Sequence, residues 1–81
     1  MKNQDKKRLA KFRKKLAQLR VAKGLSQRAL SNKCKVGHGK ISKLENVEDT
    51  NLNLTTLFEL AKGLGVHPRD LIDYEVGWVK D

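Results

Sequence analysis

Leu9, Phe12, Leu16 and Leu19 step by three, four and three residues, the spacing of one buried stripe on an α-helix. The positions around them are nearly all Lys, Arg and Gln, and Gly24 supplies a stop, so the pattern predicts a first helix over residues 6–23. After it one local arrangement occurs four times: an apolar residue, a capping residue, three positions, and another apolar residue. The four are Leu25-Ser26 with Leu30, Val36-Gly37 with Ile41, Leu52-Asn53 with Leu57, and Val66-His67 with Leu71. This is the spacing of a hydrophobic staple, in which the residue before the cap packs on the fourth helical residue and fixes the chain's entry angle. Ser26 and Asn53 are good caps, Gly37 and His67 weaker ones, and Pro68 stands where its missing N–H costs nothing. The staples predict helices over residues 27–34, 38–46, 54–64 and 68–73. Leu54, Leu57, Phe58, Leu60, Ala61 and Leu64 are the expected apolar face of the fourth, ended by Gly65.

β-branched residues never alternate over a strand's length, so the expected fold class is all-α, a five-helix bundle. It is read as one domain over residues 1–81, with a core at 6–73, a basic N-terminal extension and a short aromatic C-terminal tail. Residues 35–37 alone join the second and third helices. So short a connection forces a steep crossing, the helix-turn-helix arrangement. Residues 47–52 read as a polar, acidic surface loop.

Length narrows the function. A chain of 81 residues buries only about 60% of its unfolded surface, which leaves no room for a large enzyme with a deep cleft. Its core must come from closely packed short helices or from a partner subunit. Cys34 is the one cysteine and two histidines are too few to complete a zinc site with it. No Ser/His/Asp set, paired-carboxylate cleft or phosphate-cradling glycine loop can be assembled. No catalytic residue, metal or cofactor is expected, and with no long apolar run the expected location is cytoplasmic, without a membrane partner.

Charge points to a polyanion. The formal net charge is +9, but residues 1–46 hold 15 Lys or Arg against Asp5 and Glu45, while residues 47–81 hold 3 against 7 acids. The halves therefore carry +13 and −4, and one end of the molecule is expected to face an anion, unless the lysines form only a solvated face. In a helix-turn-helix the second helix lies in the major groove of duplex DNA and the first crosses the backbone. Here Ile41 and Leu44 turn inward, which leaves His38, Lys40, Ser42 and Lys43 outward. Lys43 can donate to guanine O6 and N7, His38 can donate or accept, and Gly39 lets backbone or a thymine methyl come close. Gln27 opens the preceding helix, where free N–H groups already favour phosphate.

Taken together, Arg20, Gly24-Leu25-Ser26-Gln27, Leu30, Val36, Ile41-Ser42, Leu44-Glu45, Leu57, Leu60-Ala61, Leu64-Gly65-Val66 and Leu71 resemble the Cro and phage-repressor type of helix-turn-helix, the XRE family. The resemblance spans about residues 12–73. It implies a lambda-repressor-like bundle that binds double-stranded DNA as a homodimer on a two-fold operator and regulates transcription, as a repressor does. It implies base readout by His38, Gly39, Lys40, Ser42 and Lys43, and phosphate contacts from Gln27 and Asn46; Ser26 and Arg28 beside Gln27, and Lys14 from the basic first helix, are further phosphate candidates. It also implies an internal ion pair between Arg20 and Glu45, and a dimer interface near helix five, for which Leu71, Ile72, Tyr74 and Trp78 are candidates. Lys35, Gly37 and Val47 depart from the family pattern, which has glycine at the turn, Ser or Thr at the cap, and glycine after the recognition helix.

Three features fall outside that core. Cys34 reads as a small buried hydrophobe. Residues 2–15 carry eight Lys or Arg, suited to flanking phosphates, RNA, an anionic membrane surface or an acidic partner. The tail holds Tyr74, Val76, Trp78 and Val79, expected either to fold back on helix one or to pack at a dimer interface. The alternative role is an interaction module, such as an antitoxin that masks a toxin, with DNA binding secondary.

Overall fold

Five helices follow the staples. The computed structural model describes residues 3–47 and 50–78, and side chains from residue 6 on. Lys2, Glu48, Asp49, Val79, Lys80 and Asp81, which belong to the basic segment, the acidic loop and the tail, lie outside the described residues. The helices are α1 Asn3–Ala22, α2 Gln27–Ser31, α3 His38–Asn46, α4 Leu54–Leu64 and α5 Pro68–Leu71, and no strand occurs among the described residues.

Three of the four caps bond through their side chains, and Gly37 caps α3 with backbone alone. Ser26 Oγ accepts from the Ala29 N–H at 3.0 Å, and Asn53 Oδ1 from the Thr56 N–H at 2.8 Å. His67 is a stronger cap than its residue type suggests: its Nδ1 accepts from Arg69 at 3.0 Å while Asp70 accepts from the His67 N–H at 3.2 Å, a reciprocal capping box. In the staples, Leu30, Val36, Ile41, Leu57 and Leu71 are buried, and Leu25, Leu52 and Val66 pack half-buried against the same cluster. Phe12, Leu16, Leu44, Leu60, Ala61 and Leu64 complete one core. α1 lies across α3 and α5, and α4 packs on α2 and α5. Burial of each large aliphatic side chain stabilises the fold by about 1.5–3 kcal/mol.

Two close fits set the frame. Gly65 closes α4 with φ of 70°, a left-handed turn that a side chain would strain. A Cβ on Gly63 would lie 2.9 Å from Leu30 Cδ1 and 3.1 Å from Cys34 Cβ, so α4 reaches α2 only because that position is glycine.

Four expectations are corrected. α1 begins at Asn3 rather than residue 6, because the apolar stripe that marked the helix starts only at Leu9 and nothing before it breaks a helix. α2 ends at Ser31 rather than residue 34: Ser31 Oγ donates to the Arg28 carbonyl at 2.6 Å and the Lys33 N–H bonds the Leu30 carbonyl at 2.9 Å, tightening the chain into a turn. α5 ends at Leu71 rather than residue 73. Leu54 and Phe58 are 64% and 50% exposed, so the buried face of α4 is Leu57, Leu60, Ala61 and Leu64 alone. Cys34 is half-buried, its thiol 3.3 Å from the Leu30 carbonyl oxygen. No helix among the described residues is long and apolar enough to cross a membrane.

Candidate nucleic-acid interface

Burying Ile41 and Leu44 decides what α3 shows to solvent. His38, Gly39, Lys40, Lys43 and Asn46 are exposed and Ser42 is half-buried. Nothing lies within 4 Å of a Cβ built on Gly39, so the start of the helix is open to close approach. Gly37 caps α3 without a side-chain hydrogen bond, which leaves the first-turn N–H groups without a side-chain acceptor and adds their dipole to the cationic side chains. Two members are weakly tethered: Lys40 Nζ donates to the Asn51 carbonyl at 3.4 Å and Asn46 Nδ2 to Ser42 Oγ at 3.4 Å. The Lys43 side chain has no hydrogen bond or ion pair among the described residues.

A single carboxylate holds this surface in place. Glu45, at the end of α3, accepts from Arg20 Nε at 2.7 Å and from Arg20 Nη2 at 2.9 Å, a bidentate pair whose side chains are 4% and 16% exposed. Arg20 Nη1 also donates to the Leu25 carbonyl at 2.7 Å, so one guanidinium ties α1, the α1–α2 turn and α3 together. The hydrogen bond Arg20 donates to Glu45 is the main cause that raises the Arg20 pKa above its usual value; burial opposes it and the charge attraction adds to it.

Gln27 joins the same network, its Nε2 donating to Glu45 Oε1 at 3.2 Å. Sequence reasoning set Gln27 toward phosphate and missed this bond; only the fold brings residues 27 and 45 together. With one amide hydrogen engaged, Gln27 keeps a second N–H and its carbonyl oxygen for an outside partner. Ser26 is exposed with its oxygen committed to the cap and its hydroxyl hydrogen still available, and Arg28 and Lys14 are exposed.

The interface candidates separate. Leu71 is fully buried inside its own chain, where the Val66 staple needs it, and so cannot meet a second copy; Ile72 is 47% exposed and Tyr74 half-buried. Trp78 is 67% exposed and lies over α1, its ring centroid 4.5 Å from the Arg8 guanidinium carbon. Sequence reasoning missed Leu54 and Phe58 as surface residues. The signal was there: at 100° per residue the six apolar positions of α4 cover an arc of about 160°, wider than one buried stripe, and these two mark its edge.

The helix-turn-helix family pattern matches residues 16–71. Among solved structures, the restriction-modification controller protein C.AhdI from Aeromonas hydrophila is similar, with 35% sequence identity over 78% of this chain and 94% of that one, and a TM-score of 0.72. No curated protein matches significantly.

Proposed function

Because the chain belongs to the XRE-type helix-turn-helix family and is a DNA-binding transcriptional regulator, we propose that it acts as a homodimeric repressor with α3 seated in the major groove. The observation that carries this reading is the outward set of α3, cationic and polar without a carboxylate, while Ile41 and Leu44 face the core and the Glu45 carboxylate is turned in against Arg20. His38, Gly39, Lys40, Ser42 and Lys43 read base edges. Ser26, Gln27, Arg28 and Asn46 hold phosphates, and Glu45 orients the Gln27 amide for that task. The role is to bind rather than to catalyse. Two copies meet through the exposed apolar residues Leu54, Phe58 and Ile72 and bind a two-fold operator whose half-sites lie one helical turn, about 34 Å, apart. By likeness to C.AhdI, the genes controlled are those of a restriction-modification system.

Selection from random duplexes followed by titration tests the division of roles. Lys43→Ala or His38→Ala relaxes base preference at one position by about 1–3 kcal/mol, whereas Gln27→Ala weakens selected and random duplexes alike. With roughly six phosphates neutralised, affinity falls about a thousandfold between about 50 and 200 mM salt. Equal losses on both duplexes for all three variants would contradict the assignment.

A further inference from the structure

Between the family's matched residues and the ends of the described chain lie two segments, residues 3–15 and 72–78, and the structure brings them together. Lys7 and Lys14 are exposed on the side of α1 opposite Phe12 and Leu16, in line with Gln18 and Val21 at spacings of seven, four and three. Lys6 and Lys15 flank that line, partly buried. None of these four lysine side chains has a hydrogen bond or ion pair among the described residues. Like charges three and four positions apart on one helix repel, so the segment is a poor helix by itself.

The chain's last described turn supplies what holds it. Arg8 Nε donates to the Val76 carbonyl at 3.0 Å, the Arg8 guanidinium lies under the Trp78 ring, and Lys11 Nζ pairs with the Glu75 carboxylate at 3.5 Å and donates to its carbonyl. This clasp occupies Arg8 and Lys11 and leaves Lys7 and Lys14 pointing to solvent. At its other end α1 is pinned to α3 through Arg20 and Glu45. With 1.5 Å of rise per residue, Lys14 stands about 9 Å and Lys7 about 20 Å along the helix from that pin. The two lysines therefore stand about 10 Å apart along the helix, roughly three base pairs of duplex.

We infer that the N-terminal half of α1, held by the Glu75–Trp78 clasp, is a second anion-binding surface that grips the phosphate backbone flanking the half-site. The inference rests on α3 reading that half-site. Its ligand is sequence-independent phosphate, and Trp78 serves it as a positioning residue that never touches DNA.

Anisotropy titrations of the intact protein compare a selected operator trimmed to its half-sites with the same operator extended by one helical turn, about ten base pairs, on each side. The wild type binds the extended duplex more tightly and with a steeper salt dependence. In Lys7→Gln/Lys14→Gln the log–log salt slope on the extended duplex falls by about 1.8 per protomer, and the two duplexes bind alike. Glu75→Gln/Trp78→Ala loses part of the same advantage together with helical circular dichroism, while base preference stays intact. Lys43→Ala weakens both duplexes equally. A wild type indifferent to the flanks, or a lysine double variant that loses the trimmed duplex just as much, overturns the second surface and leaves the α3 reading standing. A wild type that binds neither duplex overturns both.

Discussion

α3 and α4 bury the same kind of side chain in the same core and differ only in what they turn outward. Behind Ile41 and Leu44, α3 presents His38, Lys40, Lys43 and Asn46; behind Leu57, Leu60 and Leu64, α4 presents Leu54 and Phe58. The cationic face repels its own copy and attracts phosphate, whereas the apolar face gains only when a second apolar surface covers it. The inward residues thus specify a fold, and the outward residues specify partners of opposite chemistry.

The largest effect separates fold from face. Glu45→Ala removes the acceptor that satisfies Arg20 and Gln27 and leaves a mostly buried guanidinium without its carboxylate. Breaking such a pair costs about 3 kcal/mol, a fall in Tm on the order of 15 °C for a domain of this size. The α3 face loses its placement against α1, so operator binding weakens together with the melting temperature. Glu45→Gln keeps an acceptor and loses less. Thermal melts beside Lys43→Ala, whose Tm stays within a few degrees, check the contrast; an unchanged Tm for Glu45→Ala with selective loss of base preference would move Glu45 from the frame to the readout.

A smaller effect isolates the apolar face. Leu54→Lys/Phe58→Lys alters side chains that are already half or more exposed, so the monomer's melting changes little. Sedimentation shows the population shifted to monomer, and affinity for the two-half-site operator falls roughly tenfold or more, with single half-site binding unchanged. A variant that stays dimeric would place the interface elsewhere.

How much of this was legible in the sequence follows from range. Local signals gave all five helices: a staple and its cap lie within five residues, so Leu25 with Leu30 or Val66 with Leu71 can be read without a fold. The XRE resemblance pointed to Arg20 and Glu45, and the structure joins them as a bidentate pair. Hidden from the sequence were choices that tertiary packing makes among equivalent residues. Leu54 and Leu57 have the same chemistry, but only one has a neighbour above it. Leu71 looked free for an interface because periodicity cannot say which side of a four-residue helix the rest of the chain occupies. Gln27 and Glu45, 18 positions apart, and Lys11 and Glu75, 64 apart, meet only once the helices are packed.

The smallest effect tests the clasp side of the molecule through Tyr74. Its phenol is partly buried, and burial, which penalises the phenolate, raises its pKa above the usual value of about 10. The native state therefore holds this proton more tightly than the unfolded chain does. The sign follows: the stability from burying the neutral phenol is fully present below pH of about 10 and is lost as pH rises through the raised native value. Tyr74→Phe keeps the ring and removes the titration, so its melting temperature declines less steeply than that of the wild type in strong alkali, after the lysines common to both proteins cancel. Phenolate absorbance followed in the native protein gives the same shift directly. Because Tyr74 packs against the core while Glu75, Val76 and Trp78 reach α1, ionising it loosens the root of the clasp.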